Sequence, residues 1–401
     1  MLPKEQWRRN RLAINLAAGF LFAGFTFVMP FLPLYVRELG VRDDADVASW
    51  SGLLITVAPL IAGLLGPAWG RLGDRYGMKI MVQRATLALA IHWAFFGFAR
   101  SPHHLLALRV FLGFFGGFGT LSMPLLAAST PREHLSRSIG GLQTVQMVAA
   151  AVGPLLGGAL ADAIGIRNTC LVSTAAAGVA AVMISILYRE PRKEGAGAPS
   201  EVSRALSWRQ VVSLPSFGTM ALVMFTVSFV ERSFSPVVPL YVLTLGTPML
   251  HAAKTAGLII SAGLAAEAVS ATVMGQRLRT RSPRSLLLWR LAGGAVACLP
   301  MSLVSTSAQL LALRLALGLL AGGCMVVVYT LGSRILPAES RGTTFSFLSS
   351  SALIGGAAGP VVAGAITHLN MRAIFVLDSV LFLGLLAAAW RTIRTPSGSD
   401  S

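Results

Sequence analysis

The sequence predicts an all-α membrane protein: twelve transmembrane helices grouped as two six-helix bundles of a duplicated chain. Three observations predict this. Of 401 residues, 54% are apolar and only 12% charged, against about 25% charged in soluble globular chains, and mean hydropathy is +0.70. The apolar residues fall in runs of about twenty, the length a span needs. The second half also repeats motifs of the first at an offset near 206. A soluble enzyme, a disordered scaffold and a peripheral protein with one anchor are excluded.

Taken in order, the runs place spans at about 12–36, 49–69, 80–99, 104–128, 138–162 and 168–188, then at 211–243, 253–274, 285–304, 308–333, 343–367 and 372–391. The first follows Lys4, Arg8, Arg9 and Arg11, which is similar to a signal-peptide basic region. Its apolar run is too long for a signal, and another span follows at once, so it is read as an uncleaved helix. Residues 1–188 form one bundle, 189–210 a polar cytoplasmic linker rich in Gly, Ala and charge, and 211–401 the second bundle. Trp50, Trp69, Trp208, Trp289 and Trp390 stand near span ends, where an amphipathic ring prefers the interface.

Charge distribution sets the orientation. The net charge of +17 would suggest nucleic acid in a soluble chain, but the basic residues lie in short loops without a basic patch or stacking motif. Twenty-two Lys and Arg fall on the side of the N-terminus and six on the other. Both termini are therefore expected in the cytoplasm of a cell (inner) membrane. Cys170, Cys298 and Cys324 lie inside apolar runs with no metal-type spacing and read as small core residues.

The duplication is read residue by residue. Pro33-Leu34-Tyr35-Val36 returns as Pro239-Leu240-Tyr241-Val242. Leu106-Ala107-Leu108-Arg109, with Gly113 and Gly117, returns as Leu311-Ala312-Leu313-Arg314, with Gly318 and Gly322. Gly153-Pro154 returns as Gly359-Pro360 and Arg84 as Arg290. Six spans per half give both halves the same orientation, a recognised transporter plan with its substrate site near the midplane between the halves.

Gly70-Arg71-Leu72-Gly73-Asp74-Arg75-Tyr76-Gly77-Met78-Lys79 resembles the signature loop between spans two and three of the major facilitator superfamily. Arg109 with Gly113 and Gly117 is similar to the family's span-four motif, and Gly153-Pro154-Leu155-Leu156-Gly157-Gly158 to its span-five antiporter motif. Over essentially the whole chain the resemblance is greatest to the twelve-span drug:proton antiporters of multidrug efflux. It implies the major facilitator fold and transport driven by a proton gradient. No cofactor and no metal are expected, and the monomer is the expected form.

The resemblance makes Gly70, Asp74, Arg75, Gly77 and Lys79 a conformational gate, Asp74 facing the N-terminus of span eleven, where the helix dipole favours an anion. The alternative for Asp74 is a solvated loop carboxylate. In the second half Arg279 stands where Asp74 does, so the lock is one-sided. For Gly153, Pro154, Gly157 and Gly158, tight packing and sealing against leak are one physical object.

Charges within spans cost at least ~2.5–3.5 kcal/mol each and need a reason. The resemblance implies proton transfer for Arg109; Arg314 is its repeat mate. Arg84 and Arg290, close to cytoplasmic span ends, are expected to snorkel. Glu231, beside Arg232 in span seven, and Glu267 in span eight could carry the proton, because solvent access moves a carboxyl's proton affinity; a buried structural Glu–Arg pair is the alternative for Glu231. Asp162 and Asp378, at outer span ends, are weaker candidates, and His92 reads as a packed residue. Phe25, Gln143, Gln146, Arg232 and Arg314 are candidate lining of an apolar cavity for amphiphiles.

The expected function is proton-coupled efflux of lipophilic or cationic small molecules by alternating access. A facilitator-type symporter or uniporter for a metabolite or lysolipid is the alternative. A transport-dead receptor has little polar surface to offer partners, and no nucleophile–base or metal constellation supports an enzyme.

Overall fold

The computed structural model describes residues 4–190, 216–335 and 341–393. Within them the regular structure is helical. The first half runs through α1 (Lys4–Val28), a 3₁₀ turn (Met29–Phe31), α2 (Leu32–Glu38), α3 (Asp44–Tyr76), α4 (Met78–Phe96), α5 (Pro102–Phe115), α6 (Phe118–Ser129), α7 (Arg132–Ile164) and α8 (Ile166–Leu187). The second runs through α9 (Phe217–Thr244), α10 (Met249–Arg277), α11 (Pro283–Met301), α12 (Ser307–Ala321), α13 (Cys324–Ile335), α14 (Arg341–Thr367) and α15 (Ala373–Thr392). The expected linker lies outside the described residues from 191 onward.

Local chemistry sets these boundaries. Pro30 and Pro33 each lack an N–H, and the first helix passes through the 3₁₀ turn there; α9 carries Pro236 and Pro239 without interruption. Ser101 caps α5 by accepting from the His104 N–H, with Pro102 in the first turn. Thr306 and Gln309 close a capping box on α12. Positive φ ends a helix at Gly40 (99°) and Gly246 (85°), repeat mates where a Cβ would be strained.

Each of the twelve expected stretches holds helix among its described residues, although the third and ninth end beyond their helices, at 97–99 and 302–304. Besides the 3₁₀ turn in the first, two are broken. The fourth splits at Gly116-Gly117, with Gly117 at φ 103°, and the tenth at Gly322-Gly323, with Gly323 at φ 80°. Nine helical stretches among the described residues are long and apolar enough to cross a membrane. The other three fall on α4, on α5–α6 and on α11. Lys79, Gln83, Arg84 and His92 dilute α4, Arg284 and Arg290 dilute α11, and α5 and α6 are each too short alone.

The break also corrects the repeat register. Gly117 is matched by Gly323, not Gly322, because α5 has 14 residues and α12 has 15.

Residue contacts divide the chain into two compact units, Met1–Ala196 with Val238–Ser261 and Gly197–Val237 with Ala262–Ser401. In the first, α1 packs against α7 and α8, α8 also against α4, and α3 against α5. In the second, α11 packs against α12 and α15, and α9 meets α15 through Phe234 and Phe375, with ring centroids 5.7 Å apart.

Candidate functional site

The second unit gathers ionisable groups from four helices. Arg314 on α12 is buried, with its stem against Gly263 of α10, where a Cβ would come within 2.8 Å of Cγ. Its guanidinium carbon stands 4.2 Å from the Phe234 ring centroid, a cation–π contact. Its Nε has no partner among the described residues, and Glu267, Glu231 and Asp378 lie within electrostatic reach. Glu267 is half-buried, one turn from Gly263 on the same helix, and also feels Arg232. Glu231 is half-buried and Arg232 exposed.

Asp378 belongs to this group although it reads from sequence as a peripheral outer-end residue. It is fully buried on α15. Ser233 Oγ donates to its Oδ2 at 3.1 Å, while Oδ1 is unpartnered among the described residues. Spacing alone could have flagged it, since Asp378 and Ser379 fall on the buried stripe of α15 with Phe375 and Phe382. A buried polar atom with an empty lone pair asks for an explanation.

The first unit is arranged differently. Arg109, 1% exposed, donates from Nε to the Leu54 carbonyl at 2.6 Å and from Nη2 to the Ile55 carbonyl at 3.1 Å, both on α3. Its guanidinium lies 5.9 Å from the Phe25 ring centroid, and Phe25 meets Trp93 edge-on at 6.3 Å. Phe25 is thus turned towards α4 and α5. His92 is buried beside Trp93 and Phe96 and donates from Nδ1 to the Leu108 carbonyl at 3.1 Å, a packed residue as expected. Gln143 is exposed and Gln146 half-buried on α7. Near them an apolar groove of about 320 Å³ runs between α1 and α7, bounded by Ala23, Phe27, Val145, Val148 and Val152.

Arg84 and Arg290 do more than snorkel. Arg84 Nη2 donates to the Gly116 carbonyl at 3.1 Å and stacks on Trp69. Arg290 Nη1 donates to Ser270 Oγ at 2.8 Å and to the Leu319 and Leu320 carbonyls. Each arginine therefore satisfies carbonyls freed by the break in the neighbouring helix.

The span-five motif stands where helices nearly touch. A Cβ on Gly153 would collide with Thr26 of α1, and one on Gly157 with the Phe27 backbone. Thr26 Oγ1 is itself within hydrogen-bonding range of the Ala149 carbonyl, at 3.2 Å. Gly158 meets the backbone of Ala253 and Gly257 that of Pro154, while the Leu155 N–H donates to Ser261 Oγ at 2.9 Å. Segment 238–261 belongs to the same unit as α7.

In the signature loop, Gly77 has φ 100° and opens α4. Glu190, which sequence reasoning passed over, accepts from the Met78 N–H at 2.6 Å through Oε1, an anion at a helix N-terminus. Lys79 Nζ donates to the Ser185 carbonyl at 3.0 Å, and Arg75 lies 5.3 Å from the Tyr76 ring. The side chain of Asp74, and the surroundings of Gly70, lie outside the described residues.

Against known families, the model of the Major Facilitator Superfamily matches residues 14–308 and 249–401. A multidrug resistance protein MdtG of Yersinia enterocolitica is 32% identical over 396 residues, covering 97% of this chain and 94% of its own. The protein of that name from Proteus mirabilis is 30% identical over 397 residues, covering 98% of both. Among solved structures, an inward-facing, unoccupied bacterial homologue of the human lysosomal transporter Spinster superposes with a TM-score of 0.79 at 17% identity, over 99% of this chain and 100% of that one. A D-xylose–proton symporter gives 0.74 at 13% identity, over 96% and 98%.

Proposed function

Because this chain belongs to the major facilitator superfamily, we propose that it is a multidrug efflux pump that exchanges protons for lipophilic or cationic small molecules by alternating access. The observation that carries the proposal is the charge group around Arg314. Were Glu231, Glu267 and Asp378 all to ionise, the group would carry one negative charge more than Arg232 and Arg314 balance. Such an excess is costly in a bilayer, and either one proton or one monovalent cationic substrate removes it. Competition of the two for one charge deficit is the logic of antiport.

In this reading Glu231 and Glu267 exchange the proton, and Arg314 keeps their charged form accessible. Arg109 couples the first half, held by carbonyls that accept but cannot titrate. Arg232 with Phe25, Gln143 and Gln146 contributes to the substrate path. The bundles 1–188 and 211–401 rock about the linker 189–210 across a cell membrane with both termini inside. Gly70, Asp74, Arg75, Gly77 and Lys79 act as the cytoplasmic gate. Gly153, Pro154, Gly157 and Gly158 seal the opposite end, since their missing side chains let backbones meet without room for water. The monomer suffices, and the proton gradient takes the place of any cofactor.

The test is proton movement in proteoliposomes containing a pH dye and challenged with lipophilic cations. Proton flux opposite to drug flux is expected, reduced at least tenfold by Glu267→Gln or Glu231→Gln. Unaltered coupled export in the double variant would remove both carboxyls from the mechanism, and drug movement without proton flux would remove the antiport reading itself.

A further inference from the structure

A cavity of about 880 Å³ opens in the second unit, where the end of α10, the start of α11 and the end of α12 diverge. Its size is that of a small-molecule site, and none of the charged residues grouped around Arg314 lines it. Arg277, Arg281 and Arg290 line it, with the hydroxyls of Ser270, Thr280 and Ser285. No carboxylate among the described residues lines it.

The arginines differ in what they have left to give. Arg290 spends Nη1 on Ser270 and on the carbonyls of α12. Arg277 and Arg281 are exposed, and their side chains make no hydrogen bond or ion pair among the described residues. Arg277 is close enough to Arg290 for the two charges to repel. The positive end of α11 faces the same space, with Ser282 capping it by accepting from the Ser285 N–H. Three like charges and a helix N-terminus around one cavity leave an anion unsupplied by the protein.

The rest of the wall is apolar: Val269, Val273, Leu286 and Leu319. Trp289, 75% exposed, stands at its edge as an interfacial ring does. The site also lies on the membrane face that carries the arginine surplus, in the loop holding Arg277, Arg279, Arg281 and Arg284.

We infer that this cavity binds the phosphate of an anionic phospholipid, with Arg277 and Arg281 holding the headgroup and an acyl chain running along Val269, Val273 and Trp289. Basic pockets between transmembrane helices are a known physical solution for anionic headgroups. A free phosphate would use the arginines but leave the apolar wall without a role.

The experiment is native mass spectrometry of the delipidated full-length protein, titrated in detergent with phosphatidylglycerol, phosphatidylcholine or inorganic phosphate. Phosphatidylglycerol is expected to bind at least tenfold more tightly than phosphatidylcholine. The variant R277Q/R281Q should weaken it roughly 25-fold, about fivefold for each arginine removed, whereas R9Q/R137Q, two exposed arginines of the other unit, should leave it unchanged. Should the double glutamine variant fail to fold, R277K/R281K keeps the charge and should retain the lipid preference. Equal binding of the two lipids, or full affinity in a folded R277Q/R281Q protein, would overturn the site. Inorganic phosphate binding as tightly as phosphatidylglycerol would overturn the lipid assignment.

Discussion

Asp378 shows how much one buried atom can decide. Its Oδ2 is held by Ser233 and its Oδ1 by nothing described, so Asp378→Asn keeps the shape and can keep the hydrogen bond. We expect its thermal unfolding in detergent to stay within about 1 kcal/mol of the parent. Asp378→Leu leaves the Ser233 hydroxyl only the Val230 carbonyl, to which it already donates at 2.8 Å, so the lost hydrogen bond should cost about 0.5–1.5 kcal/mol. A large loss in the Asn variant would mean that the ionised carboxylate, not the volume, holds α15 to α9. Sequence reasoning found Glu231, Glu267 and Arg314 because charge within an apolar run is conspicuous. It undervalued Asp378 because distance from a span end was taken as a measure of exposure, whereas neighbouring helices determine burial. Glu190 was missed for the opposite reason: it sits in a polar stretch where nothing marks it, and only folding brings it to the N-terminus of α4.

At the scale of elements, the interrupted helices are the least legible part. In the sequence Gly117 and Gly322 enter only as glycines of the span-four motif and its repeat, Gly116 and Gly323 carry no reading, and nothing in the pattern marks a break. The backbone gives the reason for the break, since φ is positive at Gly117 and Gly323, a region that costs other residues about 1–2 kcal/mol. At Gly323 a Cβ would also stand 2.8 Å from Met274 Cγ and 3.1 Å from Ala271 Cα. Gly323→Ala should therefore lower stability by about 2 kcal/mol or more. Gly384, helical on α15 with open space around its Cα, should instead gain about 0.5–1 kcal/mol as alanine. Denaturation of the two variants side by side checks the sign of both. Equal effects would show that helix propensity, not the left-handed backbone, governs position 323.

For the whole molecule, the all-α fold and the duplication were legible because both rest on repeated patterns longer than any local ambiguity. The ends of spans were not, because loops here are short and α3 and α7 extend well beyond their apolar cores, to 33 residues each. The arginine surplus makes a prediction at this scale: a fluorescent protein fused to the C-terminus should fluoresce, and a phosphatase active only outside the cytoplasm should stay silent there. The reverse result would invert every assignment of gate and seal. The extra residue in α12 carries a different lesson. A helix turns about 100° for each residue, and the insertion falls between Gly318 and the break, after Arg314. Arginine and kink therefore hold different azimuths in the two copies: a single codon has made twins into a left and a right hand. Transplanting α5 for α12 would restore the kink only by turning the arginine away, so descent from one ancestral gene no longer makes the halves interchangeable.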